Sequence, residues 1–252
     1  MRARTGRRTK PSVLRRLRVF WLFIVVVLPL CVYGGYRLAT WKIFEPETID
    51  VTGNVHVPAA EVLRLAAIRH GENVWLLNKG AAEHRIESIP WVRVAQIHRS
   101  LPARVRIVIA ERRPAACVIS SGAEYLVDEG AHVIESSCPA GDLLRVAFPP
   151  VGAQRPGAVL DARLLARMLA DAAILRSAQL DATVVGLGRF GGLDVRLRDG
   201  VRVRFGDDAD LARKAGLVRP IESAYEGRLD EIAAIDVRAP RTPVVQLRRP
   251  KR

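Results

Sequence analysis

Five histidines have the widest chemical repertoire in this chain, because imidazole transfers protons near neutral pH and ligates metal ions. Their positions match no spacing of metal ligands, and no pairing of a nucleophile with a base is apparent around them. We therefore expect solvated or partly buried side chains without a catalytic role at His56, His70, His84, His98 and His132.

A glycine-rich segment, residues 186–191, reads G-x-G-x-x-G, the pattern that cradles a pyrophosphate in dinucleotide-binding proteins. That use requires a helix directly after the glycines, because the helix N-terminus binds the phosphate. Here an alternating segment typical of a strand follows instead, with Leu193, Val195 and Leu197 on one side. The pattern therefore predicts a loop between two strands.

Three aspartates, Asp207, Asp208 and Asp210, form the most acidic short segment of the chain. They could hold a divalent cation, but a predicted helix follows them, and acidic side chains are favourable at a helix N-terminus. Helix capping explains them more simply. The sequence thus predicts a protein that is not an enzyme and that has no cofactor and no metal site.

The chain has three cysteines, of which Cys31 lies in a long apolar segment. Cys117 and Cys138 lie in the part that we predict to be exported, where an oxidising compartment permits a disulfide. Their spacing matches no metal site. A disulfide and two buried free thiols both remain possible.

The chemistry that remains is recognition by backbone groups. The last strand at an edge of a sheet presents unpaired N–H and C=O groups, to which another chain can add a strand. Residues 242–247, Thr-Pro-Val-Val-Gln-Leu, are the best candidate. Pro240 and Pro243 are compatible with an edge, where they also limit indiscriminate pairing. An ordinary edge strand protected by prolines is the alternative interpretation.

A membrane-spanning helix is predicted at residues 19–36, eighteen residues without a charge. Such a helix rises about 27 Å at about 1.5 Å per residue, close to the hydrocarbon thickness of about 30 Å. Eight cations and no acid precede it, whereas only Arg37 and Lys42 follow closely. This asymmetry places the N-terminus in the cytoplasm and the rest of the chain across the membrane.

A cleaved signal peptide is an alternative for the same segment, but the apolar core of a signal peptide is usually about 7–15 residues long. Residues 38–40, Leu-Ala-Thr, also make a poor cleavage site. The arginine pairs at residues 7–8 and 15–16 could indicate twin-arginine export, although pairs are common in any arginine-rich tail.

A net charge of +14 is typical of nucleic-acid binding, but here most of the charge lies at the two ends of the chain. The first eighteen residues contain eight cations, and the last five contain four. The part between them is nearly neutral. The basic ends are therefore better explained by topology and anionic lipid at one end and a solvated tail at the other, and we expect no nucleic-acid binding.

The first exported segment is predicted to have the order β-α-α-β-β. Its strands are residues 48–52, 91–99 and 104–111, and its helices begin at Pro58 and near Lys79. The second exported segment reads mostly as strands with two helices. Asp161 can cap the first helix, Pro220 predicts a kink in a second helix at 208–225, and Asp199-Gly200 predicts a type I′ hairpin turn.

Several segments together carry a resemblance to a known family. They are the basic tail and single span, the β-α-α-β-β order, Ile86 to Val92, the strand that ends in Glu111-Arg112-Arg113-Pro114, Leu126 to Gly130 and Ile235 to Arg238. The whole chain resembles the FtsQ/DivIB family of bacterial cell-division proteins, and its first exported segment resembles their POTRA domain. The fold class is therefore α+β, and the expected parts are a cytoplasmic tail 1–18, a transmembrane helix 19–37, a linker 38–47, a POTRA domain 48–113, a β domain 114–247 and a basic tail 248–252.

The resemblance implies a non-enzymatic inner-membrane scaffold of the divisome that binds the small proteins FtsB and FtsL through its C-terminal edge. The residues expected to contact partners are Arg176, Arg238, Thr242, Val244, Val245, Gln246 and Leu247. Ala239 and Leu247 stand where well-studied relatives carry aromatic residues, so we expect the mode of binding to hold while those anchors change. The alternatives are an outer-membrane assembly or secretion factor, which would need a C-terminal barrel, and a membrane-tethered cell-wall hydrolase.

Overall fold

The structure, a computed structural model, describes residues 13–39, 46, 48–69, 73–101 and 103–248. Helix α1, Val13–Ala39, contains Pro29. Its segment Phe20–Arg37 is long and apolar enough to cross a membrane, with a mean hydropathy of 1.7. The helix therefore covers the span that the sequence predicts. Residues 1–12 and 249–252 of the basic tails, and most of the predicted linker, lie outside the described residues.

The chain forms two compact units. The first contains the chain up to Asn54 together with Pro58–Arg85 and Ala95–Ile109, and the second contains Val55–Val57, Ile86–Val94 and the chain from Ala110 onward. The boundary predicted between the POTRA and β domains, after residue 113, stays a prediction.

A three-stranded sheet carries the predicted β-α-α-β-β order. Its strands are β1 (Thr48–Thr52), β2 (Val92–Ser100) and β3 (Arg104–Glu111), arranged as β1-β3-β2. β1 runs parallel to β3, with Thr48 opposite Arg104. Val105, Ile107 and Ile109 are buried as their alternation predicts.

Two short helices lie between β1 and β2 in the chain. They are α2 (Ala59–Ala66) and α3 (Lys79–Glu87), and their apolar side chains Val62, Ala82 and Ile86 are fully buried. Gly53 ends β1 with a φ of +85°, and a Cβ there would lie 2.1 Å from the carbonyl oxygen of Ile109. Only glycine fits this turn.

The remaining strands form one nine-stranded sheet in the order β12-β11-β10-β9-β8-β7-β4-β5-β6. Three neighbouring pairs are parallel and the others antiparallel, so the sheet is mostly antiparallel as predicted. The strands are β4 (Pro114–Ser120), β5 (Ala123–Asp128), β6 (Val133–Glu135), β7 (Arg145–Ala147), β8 (Ala182–Leu187), β9 (Leu193–Leu197), β10 (Arg202–Gly206), β11 (Ile232–Asp236) and β12 (Val244–Leu247).

Helix α4 (Ala162–Ser177) packs its apolar side onto this sheet. Leu165, Met168 and Leu175 are fully buried in the same core as Val185 of β8. The side chain of Asp161 accepts hydrogen bonds from the backbone N–H groups of the first turn, which confirms the predicted cap.

The helix predicted at residues 208–225 is instead two helices, α5 (Leu211–Gly216) and α6 (Val218–Ala224). The prediction of one helix kinked at Pro220 was wrong. Proline lacks an N–H and is tolerated in a first turn, where that group would have no helical partner. The break at Leu217 places Pro220 in the first turn of α6.

The turn between β9 and β10 also differs from its prediction. Gly200 has a φ of +86°, but Asp199 does not have a positive φ, as a type I′ turn would require. The N–H of Gly200 bonds to the carbonyl of Leu197, and the side chain of Asp199 accepts from the N–H of Val201. The loop is therefore longer than two residues and uses the glycine alone for its left-handed position.

Candidate partner-binding site

The final strand, β12, lies at one end of the nine-stranded sheet. It pairs antiparallel with β11, with Val244 opposite Asp236, Val245 opposite Ile235 and Gln246 opposite Ala234. In the part of the chain that the structure describes, no strand pairs with its other flank. One row of backbone groups is thus available to another chain.

The strand begins at Val244, two residues later than predicted. Thr242 lies in a turn, where its N–H bonds to the carbonyl of Ala239, and Pro243 separates this turn from the strand. At the other end, Arg248 donates through Nε to the carbonyl of Ile232 and through its backbone N–H to the carbonyl of Glu231. The two bonds of Arg248 hold the C-terminal end of the short strand against the start of β11.

The side chains of β12 are mostly solvent-exposed. Val244 is 53% exposed, and Gln246 and Leu247 are exposed as well, whereas Val245 is half-buried and packs against the domain core. Val244 and Leu247 are the first and last residues of β12, and successive side chains of a strand point to opposite faces. A partner strand added here would therefore meet one exposed apolar side chain at each end of β12.

Arg238 lies just beyond the end of β11 and next to the start of β12. Its Nε is 2.9 Å from Oδ1 of Asp236, and its Nη2 is 2.6 Å from Oδ2. Hydrogen bonds from Arg238 lower the pKa of the Asp236 carboxyl, against the opposing effect of burial. The carboxylate thus stays ionised and fixes the direction of an exposed guanidinium.

Gly206, at the end of β10, lies under the side chain of Arg238. Its φ is +75°, and a Cβ on it would lie 2.9 Å from Cγ of Arg238. A Cβ on Gly192 would in turn lie 2.8 Å from Cα of Gly206. The close approach of these backbones requires both glycines and leaves room for the arginine.

An open groove of about 610 Å³ surrounds Arg238. Sequence reasoning missed this groove, although it had described the glycine-rich loop that forms part of it. Phe190 belongs to the glycine-rich loop, and its exposed side chain lines the groove. The charged residues that line the groove are Arg189, Arg202, Arg204, Arg238, Asp194 and Asp207.

The arginines of the groove outnumber its acids, and two of them are already oriented by acids. Arg202 donates to Asp194 at 2.8 Å, as Arg238 does to Asp236. A surface of this kind attracts an acidic segment, and arginine offers paired donors to a carboxylate.

Arg176 does not join this groove. It lies in the last turn of α4, which leads into the start of β8. Through the pairings β8 with β9, β9 with β10 and β10 with β11, the start of β8 lies at the end of the sheet opposite to Arg238. Of the predicted site residues, the structure therefore groups Arg238 and β12 and separates Arg176 from Arg238.

The aspartates that could suggest a cation site each have another partner. Asp207 binds the buried Lys214, Asp208 forms an ion pair with Arg167, and Asp210 forms one with Arg213. Asp210 makes no side-chain cap bond to α5. Helix capping, which the sequence favoured for the three aspartates as a group, is therefore not made by the side chain of Asp210. Among the described residues the one cluster of possible ligands is Cys117, Glu124 and Cys138, and its two sulfurs form a disulfide with a Cα–Cα distance of 5.9 Å.

A further buried carboxylate, Glu111, has a structural role. It accepts hydrogen bonds from the backbone N–H groups of Val55, His56 and Val57, and its Oε2 lies 2.8 Å from Nδ1 of His56. Burial alone would raise the pKa of Glu111, but these hydrogen bonds outweigh it and lower the pKa. The His56 ring stacks on Trp91, whose Nε1 donates to Glu135. This arrangement has no nucleophile, so we assign it to stability.

One apolar helix, a β-α-α-β-β unit and a second sheet with an open edge define a class of single-span proteins that carry a POTRA domain and a β domain. The family described as "POTRA domain, FtsQ-type" matches residues 44–112. Cell division protein FtsQ of Myxococcus fulvus is 30% identical over 229 residues, covering 83% of this chain and 77% of that protein. Cell division protein FtsQ of Chloroflexus aurantiacus is 33% identical over 210 residues, covering 74% and 75%. The chain belongs to the FtsQ family of cell division proteins.

A solved structure is also similar, the extracytoplasmic domain of the cell division protein DivIB from Geobacillus stearothermophilus. It covers 48% of this chain and 96% of its own length, at 15% identity and a TM-score of 0.26. This similarity is too low to support an argument about the fold, and the family assignment rests on the sequence relatives.

Proposed function

We propose that this protein is a non-enzymatic scaffold of the bacterial divisome, anchored in the inner membrane by α1 and concentrated at the division septum. Its N-terminus lies in the cytoplasm, and the chain from residue 38 onward lies in the periplasm. There it links early and late division proteins by binding FtsB and FtsL. Membership of the FtsQ family supports the division role over a role in outer-membrane assembly or wall hydrolysis.

Two observations support this orientation. The eight cations before α1 follow the distribution of charge that marks the cytoplasmic side. The disulfide between Cys117 and Cys138 belongs to an oxidising compartment, which the periplasm is and the cytoplasm is not. Both support a second compact unit that lies outside the cytoplasm.

The observation that carries the proposal is the open flank of β12. A partner segment in extended conformation adds a strand there, and its backbone bonds to the free N–H and C=O groups. In chain order, the predicted POTRA domain, 48–113, follows the membrane anchor and precedes the docking β domain, 114–247.

Charge gives this docking its specificity. Arg238 and the other arginines of the groove face an acidic segment of the partner, next to its added strand. Arg176, at the opposite end of the sheet, contacts a more distant part of the same partner. Thr242 contributes from the turn before the strand, and Val244, Val245, Gln246 and Leu247 contribute from β12 itself.

Proline scanning of β12 tests the proposal in the full-length protein held in lipid nanodiscs. Consecutive N–H groups of a strand point to opposite flanks. Of Val245→Pro and Gln246→Pro, one variant therefore loses an N–H that faces β11, and the other loses an N–H that faces the open flank. One removes a bond to β11 and lowers stability. The other removes a donor on the open flank, and we expect it to weaken binding of purified FtsB–FtsL at least about tenfold.

The two variants control for each other, because they are neighbours with the same chemical change. Denaturant unfolding identifies which variant keeps the stability of the parent. If that stable variant binds the partners as tightly as the parent protein, docking through β12 is wrong.

A further inference from the structure

Three apolar side chains are strongly exposed at one end of the three-stranded sheet. Leu101 is 72% exposed in the turn after β2, and Leu76 and Trp75 are 70% and 44% exposed in the turn before α3. A single exposed apolar residue is ordinary, but a grouped set that includes tryptophan is typical of an interaction surface.

Arg99 joins the two turns. Its Nη1 lies 3.0 Å from the carbonyl oxygen of Val74 and 3.1 Å from that of Trp75, and its guanidinium lies 5.7 Å from the centre of the Trp75 ring. Arg99 is the residue before the last of β2, two positions from Leu101. The turn that contains Trp75 and the turn between β2 and β3 are therefore neighbours on one surface.

Exposed cations lie beside Leu101 at this end of the sheet. Arg104, the first residue of β3, and Arg106 both point away from the core. They line one open groove together with Leu101 and His98, where Asp50 is the one acid among its lining residues. The surface thus combines two leucines and a tryptophan with a positive charge.

The chain enters the sheet at this same end. Thr48, the first residue of β1, lies opposite Arg104 and lines the same groove as Leu101. α1 ends at Ala39, nine residues before Thr48. Nine residues of fully extended chain reach about 30 Å at about 3.4 Å each. A helix inserted in a bilayer therefore keeps Thr48, at the sheet end that carries Leu101 and Arg104, within about 30 Å of the membrane surface.

We propose that the surface formed by Trp75, Leu76, Leu101, Arg99, Arg104 and Arg106 docks on the anionic bilayer that holds α1. The leucines and the tryptophan enter the interfacial layer, which tryptophan favours, and the arginines bind lipid phosphates. This inference rests on the insertion of α1 that the proposed function includes. Docking fixes the direction in which the sheet extends from the membrane.

Lipid-quenched fluorescence in the full-length protein tests this inference. An environment-sensitive probe on Leu101→Cys, in a Cys31→Ser background, is measured in vesicles of phosphatidylcholine with phosphatidylglycerol that carry a spin-labelled lipid. Phe190→Cys, in the second unit and 90% exposed, is the matched control. We expect strong quenching at residue 101 and little at residue 190.

The charge contribution is tested with Arg104→Ala and Arg106→Ala in the probe-labelled protein. A cation near an anionic surface contributes about 1 kcal/mol, so each variant lowers the ratio of docked to undocked protein about fivefold. Vesicles of phosphatidylcholine alone show a larger loss, because they remove the attraction for every arginine of the surface. Partner binding through β12 stays unchanged, because neither arginine lies in the second unit.

A probe on Val26→Cys, in the middle of α1, separates the two proposals. If residue 26 is quenched and residue 101 is quenched no more than residue 190, the docking surface is wrong while the membrane anchor stands. If residue 26 is not quenched, the anchor is wrong and the docking inference is wrong with it. Quenching at residue 101 that is equal in neutral and anionic vesicles contradicts the role of the arginines.

Discussion

The guanidinium of Arg238 and the carboxylate of Asp236 form a two-point ion pair beside the open edge of the nine-stranded sheet, with Nε 2.9 Å from Oδ1 and Nη2 2.6 Å from Oδ2. The arginine side chain is largely exposed, whereas the carboxylate is mostly covered. The pair therefore adds little to stability by itself. Its effect is to hold an arginine in one orientation where a partner is proposed to bind.

Replacing this arginine tests the charge complementarity of the site. We expect Arg238→Ala to weaken partner binding about tenfold, mainly through slower association, and to make the remaining binding less sensitive to salt. Surface plasmon resonance at two salt concentrations measures both effects. Arg155→Ala, an exposed arginine in a distant loop, is the control and leaves binding unchanged. Equal losses in the two variants would indicate a general effect of net charge.

Gly206 gives a second test of how Arg238 is placed. We expect Gly206→Ala to lower the free energy of unfolding by about 1–2 kcal/mol, because its φ is +75°. It should also weaken partner binding, because the new Cβ displaces the Arg238 side chain. Gly200→Ala has the same backbone penalty at a φ of +86° but meets no atom within 4 Å. It should lose stability and keep binding, and a binding loss in both variants would contradict this mechanism.

The disulfide between Cys117 and Cys138 closes a loop with a sequence separation of 21 residues. We expect its removal in Cys117→Ser/Cys138→Ser to lower the free energy of unfolding by about 3 kcal/mol, largely because the unfolded chain gains freedom. Urea unfolding with and without reductant measures this change. Reductant should destabilise the parent protein and Cys31→Ser equally and leave the double variant unaffected. A parent protein that is insensitive to reductant would disprove the contribution of the disulfide.

Asp171 lies on the buried side of α4, and its Oδ2 has no hydrogen-bond partner among the described residues. Burial raises the pKa of this carboxyl above its ordinary value of 3.8, and the charge of Asp208 adds to the increase while Arg167 opposes it. The folded state thus binds the proton more tightly, and stability falls as the pH rises through the raised pKa. We expect Asp171→Asn to stabilise the protein at pH 7 and to have less effect near pH 4, as measured by thermal unfolding across pH. A stabilisation that is independent of pH would contradict an ionisation effect.

Glu111 has the opposite pH dependence. Its pKa is lowered below the ordinary value of 4.5 despite burial, through bonds from Val57, His56 and Val55. Its contribution is therefore present above the unfolded-state pKa and is lost as the pH falls through the lower pKa of the folded state. We expect Glu111→Gln to lower the free energy of unfolding by about 2 kcal/mol at pH 7, since bonds to a charged acceptor are lost. The difference from the parent protein should shrink below pH 4.5; a constant difference from neutral to acidic pH would contradict this account.

Local patterns in the sequence predicted most of the elements. The charge-free segment within α1, the β-α-α-β-β order, the inward side chains of β3 and the cap at Asp161 were all predicted from periodicity or from one residue type. Such features depend on neighbours within a few positions of the chain, so the sequence displays them directly. Errors arose where two local rules compete, as at Pro220, where a helical pattern conflicts with the missing N–H of proline.

The arrangement of the candidate sites was decided by tertiary structure alone. The sheet order leaves one flank of β12 open, the parallel pairing of β10 with β11 places Arg204 opposite Asp236, and Arg99 brings Trp75 beside the β2–β3 turn. Strand pairing joins residues that are far apart in sequence, and periodicity carries no information about which strands become neighbours. The sequence by itself therefore determined the membrane-anchored α+β character of the protein. Which backbone edge and which arginines face a partner was decided only when the strands took their places in the sheet.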